Sequence, residues 1–485
     1  MKSTFLMTPP SDLYIDGKWQ PAADGATFAV TDPATNDLIA DVANGAVEDG
    51  IAAVAAAHEA GITWAATAPR ARSEILRRAF ELMIEQRDAI AELIVRESGK
   101  SWADASGEVT YAAEFFRWFA EEAVRAVGSA QTAPGGDKKI LVLLQPVGVS
   151  ILVTPWNFPA AMATRKIGPA LAAGATVVMK PASDTPLTAL AIAGLLTEAG
   201  VPPGVVNVIP SRRYDVVEAM LDDPRTRKLS FTGSTHVGRV LLEQAARSIV
   251  KCSMELGGNG PFLVFADADL EAAVEGAMVA KMRNAGESCI AANRFYVEAS
   301  VADEFGSRLA EAMAALRVGP GLDRETDVGP LINLAARDEI AAMVDASVAS
   351  GATVLTGGQV PEGPGSYYAP TVLGSVDPAD GILDEEIFGP VAPVVSFETE
   401  AEAIEMANRT EYGLAAYVYT GDLARALRVS EAIDTGMVGV NRGFISDPAA
   451  PFGGTKQSGL GREGGHEGLM EFLEHKYIAV DWSEA

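Results

Sequence analysis

From about residue 147 onward the chain alternates between short apolar runs and amphipathic stretches. The runs at 149–153, 176–180, 205–209, 228–231 and 249–254 read as buried strands. Between them, residues 160–173, 187–199, 215–221 and 236–247 carry helical periodicity. Short strands alternating with helices imply a parallel, doubly wound sheet. A second alternation opens with a strand at 262–265, a helix at 270–282 and a strand at 295–297. Upstream, 14–18 and 28–30 read as short strands, and 50–60 and 71–87 as amphipathic helices, with Pro69 as a start signal for the second. Residues 102–126 read as a helix dense in aromatics: Phe115, Phe116, Trp118 and Phe119. Core packing is the leading reading for these rings, and a wall of a substrate tunnel is the alternative. A Pro/Gly turn at 131–137 precedes a strand at 140–144 that stands outside the alternation and needs cover for its edges.

A chain of 485 residues is too long for one ordinary core, so two or three domains are expected. The 65 acidic residues against 38 basic give a net charge of −27, which argues against nucleic acid or an anionic membrane surface as partner. Two cysteines exclude a disulfide framework. The first ten residues lack the pattern of a secretory signal, and no apolar run is long enough to span a bilayer, so a cytoplasmic enzyme is expected. No metal is expected.

The chemistry concentrates at Asn284 to Arg294, N-A-G-E-S-C-I-A-A-N-R, around Cys289. Lying between a helix pattern and a strand pattern, Cys289 falls on a loop, where reactive residues often lie. An isolated cysteine would read as a small buried apolar group. A second polar motif, Met254-Glu255-Leu256-Gly257-Gly258-Asn259, ends a strong strand pattern upstream. A thiol nucleophile with a separate carboxylate able to activate water implies two-step covalent catalysis. The motifs P-W-N-F-P at 155–159, K-P-A-S-D at 180–184 and F-T-G-S-T at 231–235 also fall at strand ends, where doubly wound sheets bind ligands. Asn157 reads as a turn former or as an amide donor to an oxyanion. Lys180 reads as a surface lysine or a ribose or phosphate contact. Gly233 and Ser234 open a helix whose free N–H groups suit a pyrophosphate, although the spacing is not the Rossmann G-x-G-x-x-G.

With M-E-L-G-G-N, G-E-S-C and N-R behind it, the sequence resembles the aldehyde dehydrogenase superfamily over roughly residues 14–480, and most closely its NADP-preferring succinate-semialdehyde branch. The resemblance implies two doubly wound α/β domains plus a small β oligomerisation arm. Residues 1–128 and 148–257 would form the cofactor-binding domain, 258–469 the catalytic domain, and 129–147 with 470–485 the arm. It implies Cys289 as nucleophile, Glu255 as the base that activates water, and Asn157, with the Cys289 N–H, as the oxyanion site. It places Thr154, Pro155, Trp156, Lys180, Ser183, Gly233, Ser234, Glu386 and Phe388 around the cofactor. Where NAD-preferring relatives often carry a glutamate, Ser183 stands, so NADP is the expected cofactor, with NAD possible. Arg165, Arg283 and Ser446 would clamp the carboxylate of the substrate.

Three departures bear on this reading. Glu287-Ser288 replaces Gln-Thr before the cysteine, Asn441-Arg442-Gly443 replaces Asn-Glu-Gly, and Ala291 replaces a second cysteine that could form a redox disulfide. The first two leave glutarate semialdehyde, or an aromatic or aliphatic aldehyde, as the alternative substrate. Arg442 would add charge or favour a longer diacid semialdehyde. An inactive binding protein would be expected to lose Cys289 or Glu255, and a thiol esterase would not need the cofactor motifs. The expected partners are a small-molecule aldehyde and other copies of the chain, as a homodimer or homotetramer.

Overall fold

The computed structural model describes residues 10–481. Two large sheets dominate it. The first has eight strands; its parallel centre runs, in spatial order, Lys251–Glu255, Thr226–Thr232, Val149–Val153, Thr176–Lys180 and Val206–Val208. The chain starts this centre in the middle, winds outward, then returns to the other side of its first strand. The order therefore reverses between Val149–Val153 and Thr226–Thr232, and a crevice opens there at the carboxyl ends. Every residue of Val149–Val153 is buried, as a strand covered by helices on both faces must be.

The second sheet has seven strands in the order Thr353–Thr356, Thr371–Gly374, Val391–Phe397, Ala292–Glu298, Gly260–Val264, Ala415–Tyr419 and Met437–Val440. Only Thr353–Thr356 runs antiparallel. The chain passes from one sheet to the other in four residues, 256–259, between Lys251–Glu255 and Gly260–Val264. The carboxyl edge of the first sheet thus meets the amino edge of the second.

The expected helices and strands of the first alternation are present with shifted ends. Sequence reading ran one helix over 71–87. The structure has two, Pro69–Glu85 and Arg87–Ser98, with Gln86 between them at φ −109° and ψ 17°. Phe115, Phe116 and Phe119 lie in the core, whereas Trp118 is half-buried and its indole N–H donates to the Gly465 carbonyl. Lys138–Pro146 pairs antiparallel with Leu473–Asp481 on one side and Ser129–Thr132 on the other, a separate three-stranded sheet. Gly459–Leu460, inside the stretch assigned by sequence to the second domain, pairs with Lys251–Glu255 of the first sheet.

Candidate active site

Register brings the motifs together. In the first sheet Val153 is paired with Lys180 and Phe231, and Thr232 with Glu255, so Thr154, Lys180, Gly233 and Glu255 leave the sheet at one level. In the second sheet Gly260 is paired with Ala292, and Cys289 stands three residues ahead of that point. Glu255 and Cys289 are brought together because one ends a strand of the first sheet and the other precedes a strand of the second.

The glycines of M-E-L-G-G-N are required by this approach. A methyl group on Gly258 would lie 2.1 Å from the Cys289 carbonyl oxygen, and one on Gly257 would lie 2.6 Å from Glu386 Oε2. The Gly258 N–H donates to Glu386 Oε1 at 3.0 Å. Burial pushes the Glu386 carboxyl up to about 7, against the pull of that bond and of Lys281.

The loop before Cys289 turns through three successive left-handed residues: Asn284 (φ 54°), Ala285 (φ 52°) and Gly286 (φ 79°). Two of these carry side chains, so the turn must be held from outside. Asp104 Oδ2 accepts the Asn284 N–H at 3.0 Å, and Asn284 Nδ2 donates to the carbonyls of Asn157 and Glu287, both at 3.0 Å. Asn157 Nδ2 also donates to the Glu287 carbonyl, at 3.2 Å. This fixes the Asn157 amide against the Cys289 loop and leaves its second N–H without a partner among the described residues. Glu287 is itself buried, accepts the Ile332 N–H at 2.9 Å, and burial pushes its carboxyl up to about 8.

Cys289 is half-buried and free. Burial pushes its thiol up to about 12; the Arg165 guanidinium pulls it down, while Glu386 and Glu255 push it further up. Glu255 is 2% exposed. Burial first, and the charge of Glu463 second, hold its carboxyl well above the usual range, against Lys166, Arg165 and Arg462. A buried carboxyl raised in this way holds a proton more strongly than an ordinary carboxylate and is the better base for it. Glu463 accepts a hydrogen bond from Lys166 Nζ, which also donates to Ser230 Oγ at 2.9 Å. Sequence reading missed Lys166 and Glu463; the available signal was a second cation, beside Arg165, in the mostly apolar stretch 159–173.

Arg165, 3% exposed, donates from Nη2 to the Tyr111 hydroxyl at 2.5 Å and to Ser446 Oγ at 3.3 Å. Its guanidinium lies 4.1 Å from the Phe452 ring centroid. The Arg283 guanidinium lies 4.7 Å from the Phe158 ring, 4.8 Å from Phe444 and 5.6 Å from Tyr111. Arg165, Arg283 and Ser446 therefore converge on Tyr111, which sequence reading did not single out. Arg442 does not join them: it is exposed, and its Nε donates to the Phe444 carbonyl.

On the crevice side, Trp156 and Phe388 meet edge to face at 5.3 Å between centroids. Lys180 is half-buried, and among the described residues its Nζ reaches only the Pro181 carbonyl, at 3.4 Å; burial pushes the ammonium down to about 8, against the charge of Asp184. Gly233 is hemmed in: a methyl group there would lie 2.5 Å from the Phe231 ring. It leads to Ser234, whose side chain caps the helix Thr235–Arg247 by accepting the Val237 N–H. Ser183, half-buried, follows Lys180 in the same loop.

The family model described as the aldehyde dehydrogenase family matches residues 19–478. A succinate-semialdehyde dehydrogenase of Paenarthrobacter nicotinovorans is 56% identical over 444 residues, 91% of this chain and 99% of that protein. A glutarate-semialdehyde dehydrogenase of Pseudomonas putida is 48% identical, covering 96% of this chain and 97% of that protein. An NADP(+) succinate-semialdehyde dehydrogenase of Escherichia coli is also 48% identical, with the same two coverages. The crystal structure of a succinate-semialdehyde dehydrogenase from Burkholderia pseudomallei superposes with a TM-score of 0.97 at 46% identity, covering 99% of this chain and 100% of that one. With a matching fold and a family model spanning nearly the whole sequence, the chain belongs to the aldehyde dehydrogenase family.

Proposed function

We propose that this enzyme oxidises a semialdehyde bearing a distal carboxylate, with succinate semialdehyde favoured, to the dicarboxylic acid, using NADP as hydride acceptor. The observation that carries this reading is the pair of guanidiniums around Tyr111. Arg165 is buried and has one carboxylate, Glu463, at 3.8 Å. Arg283 rests on three rings and has no ion-pair partner among the described residues. Two cations sharing one aromatic wall leave a positive surplus that an anionic substrate end would neutralise. The names of the relatives support a semialdehyde: two act on succinate semialdehyde and one on glutarate semialdehyde.

The residues present fit a bound NADP. A lysine ammonium without a strong partner, a serine rather than a carboxylate at 183, and a capped helix end beside Gly233 form a phosphate-binding donor set at the crevice. Lys180 and Ser183 would hold the adenosine ribose and its 2′-phosphate. Gly233 and Ser234 would face the pyrophosphate, with Thr154, Pro155 and Trp156 along the same wall. Glu386 would take the second ribose, and Phe388 would pack against the nicotinamide. When bound, the cofactor supplies a hydride acceptor.

The chain supplies the rest. Cys289 gives its thiol proton up to solvent and attacks the aldehyde carbon as the thiolate. The free N–H of Asn157 Nδ2 and the Cys289 N–H take up the negative charge on the aldehyde oxygen. Loss of hydride leaves a thioester on Cys289. Glu255 removes a proton from water, the hydroxide attacks the thioester, and the dicarboxylic acid and the free thiol are released.

The proposed division is 1–128 with 148–257 for cofactor and 258–469 for catalysis, with residues 1–9, and 482–485 of the arm, outside the described residues; Gly459–Leu460 departs from it by joining the first sheet. The arm, 129–147 with 470–485, presents Ser129–Thr132 fully exposed at a sheet edge, which supports pairing between copies as a homodimer or homotetramer. A reactive free thiol fits the cytoplasm, and no described helix is long and apolar enough to cross a membrane. Steady-state kinetics on succinate semialdehyde, glutarate semialdehyde, benzaldehyde and butanal, each with NADP and NAD, test the assignment. The highest kcat/KM is expected for succinate semialdehyde with NADP. A higher value for an uncharged aldehyde would overturn the substrate assignment, and a higher value with NAD would overturn the cofactor assignment.

A further inference from the structure

The backbone of Asn157 is gripped by a buried ion pair that the reaction scheme does not use. Lys100 follows the helix Arg87–Ser98, and Gly99 turns the chain between them in a left-handed conformation at φ 81°. The Lys100 side chain runs inward to 1% exposure. Its Nζ donates to the Asn157 carbonyl at 2.6 Å and to Glu108 Oε2 at 2.6 Å, and stands 4.3 Å from the Phe158 ring centroid. The other oxygen of Glu108 accepts the N–H groups of Ala160 and Ala161 at 2.8 and 3.2 Å. Those are orphan donors in the first turn of the helix Pro159–Ala173, whose own N-cap residue, Phe158, offers no side-chain bond. Pro159 then fixes the first helical residue. One carboxylate thus caps the helix that leaves Asn157, and one ammonium, held by that carboxylate, fixes the carbonyl of Asn157 itself.

We infer that Lys100 and Glu108 are positioning residues for the oxyanion site, acting through Asn157; the inference rests on the role of Asn157 given above. A buried ion pair is expensive and adds little net stability over apolar side chains of similar size. Its use here is geometric. Asn157 is held by three contacts: Lys100 Nζ and Asn284 Nδ2 donate to its backbone carbonyl, and its side-chain Nδ2 donates to the Glu287 carbonyl. Only the ion pair ties that unit to both helices beside it. An oxyanion donor displaced by a fraction of an ångström loses most of its effect on the transition state and little of its effect on binding.

The test is the pre-steady-state burst of NADPH with succinate semialdehyde, which reports acylation and hydride transfer before the thioester is cleaved. Lys100→Met and the charge-neutral pair Lys100→Met/Glu108→Gln are each compared in the native and Asn157→Ala backgrounds. The double variant leaves no unpaired buried charge and stays folded where the single one fails. The burst rate should fall by on the order of ten- to a hundredfold in both Lys100 variants. NADP affinity, read by fluorescence quenching, should change less than about threefold. In the Asn157→Ala background the Lys100 changes should add no further loss, since both act through one group. A native burst rate in the folded double variant would overturn the inference and leave the Asn157 role standing. So would an equal further loss in the Asn157→Ala background. A native burst in Asn157→Ala alone would overturn both.

Discussion

Gly258 and the Cys289 carbonyl are so close that a single methyl group on the glycine would stand 2.1 Å from the carbonyl oxygen. No real side chain tolerates that separation, so the M-E-L-G-G-N strand end and the cysteine loop are fitted backbone to backbone. Gly258→Ala should shift the Cys289 loop by several tenths of an ångström at least, and it should lower kcat by more than about tenfold. Because the Glu386 contact to the Gly258 N–H would move with it, NADP affinity should weaken as well. Kinetics and cofactor titration on the folded variant check both expectations. A variant with native kcat would show that the loop relaxes at no cost.

The Cys289 thiol should titrate late in the ligand-free enzyme. Burial raises it to about 12, and Arg165 is the first charge acting the other way. A raised thiol is protonated at neutral pH, and its thiolate fraction grows with pH until the pKa is passed. Alkylation of Cys289 by iodoacetamide should therefore rise by roughly tenfold per pH unit from about pH 7 to pH 10, with no plateau. Arg165→Met should slow alkylation at every pH. A plateau below about pH 8 would mean that another group lowers the thiol.

In the proposed reaction Glu255 and Cys289 serve different half-reactions, and that separates their variants. Cys289→Ala should abolish dehydrogenase activity, because no other group can form the thioester. Glu255→Gln should release a first equivalent of NADPH at near-native rate and then turn over on the order of a hundredfold or more slower, since only thioester cleavage needs the base. Stopped-flow absorbance distinguishes the two phases. A normal steady-state rate in Glu255→Gln would remove Glu255 from the base role.

Much of this site was legible in the sequence because its motifs sit where strands end. Glu255, Asn157, Lys180 and Gly233 could be read by position, since register in a parallel sheet lines up strand ends, and Cys289 as a thiol on the loop before a strand of the second sheet. Arg165 and Arg283 could be read from their distance to Asn157 and Cys289. Tyr111, Lys100 and Glu108 could not. They lie 52 to 57 residues before the groups they bond at Asn157, Ala160 and Arg165, on or just before the helix Trp102–Glu122, and reach the site through tertiary packing. Asp104, Glu108, Tyr111 and Phe115 recur at helical spacing and all touch the site. In the sequence this stripe mixes acidic and aromatic residues and reads as an ordinary amphipathic helix. Arg442 shows the opposite error: it stands out as a departure in sequence, yet its side chain lies exposed.

Cofactor choice should follow the charge at position 183. Ser183 offers no carboxylate where a 2′-phosphate would sit beside Lys180. Ser183→Glu returns a negative charge there, and like-charge repulsion of about 1–2 kcal/mol should reduce kcat/KM with NADP by on the order of tenfold, and with NAD much less. The ratio of the two values, measured on native and variant enzyme, is the readout. An unchanged ratio would move the 2′-phosphate away from Ser183.

The carboxylate end of the substrate should be read by Arg165 and Arg283 with unequal consequences for the fold. A bidentate guanidinium contact to a carboxylate contributes about 1.5–3 kcal/mol, so losing one should lower kcat/KM for succinate semialdehyde by on the order of ten- to a hundredfold. Butanal has the same aldehyde and no carboxylate, and should lose far less. Arg283 carries no ion pair among the described residues and rests on Phe158, Phe444 and Tyr111. Arg283→Ala should therefore act almost wholly on the charged substrate. Arg165 is also bonded to Tyr111 and Ser446 and lies 3.8 Å from Glu463. Its removal leaves Glu463 to Lys166 alone and withdraws a positive charge from Glu255 and Cys289. Arg165→Ala should thus show a part of its loss on butanal too, with a lower thermal midpoint. Equal losses on both substrates for Arg283→Ala would show that this arginine supports the pocket wall and does not read the carboxylate.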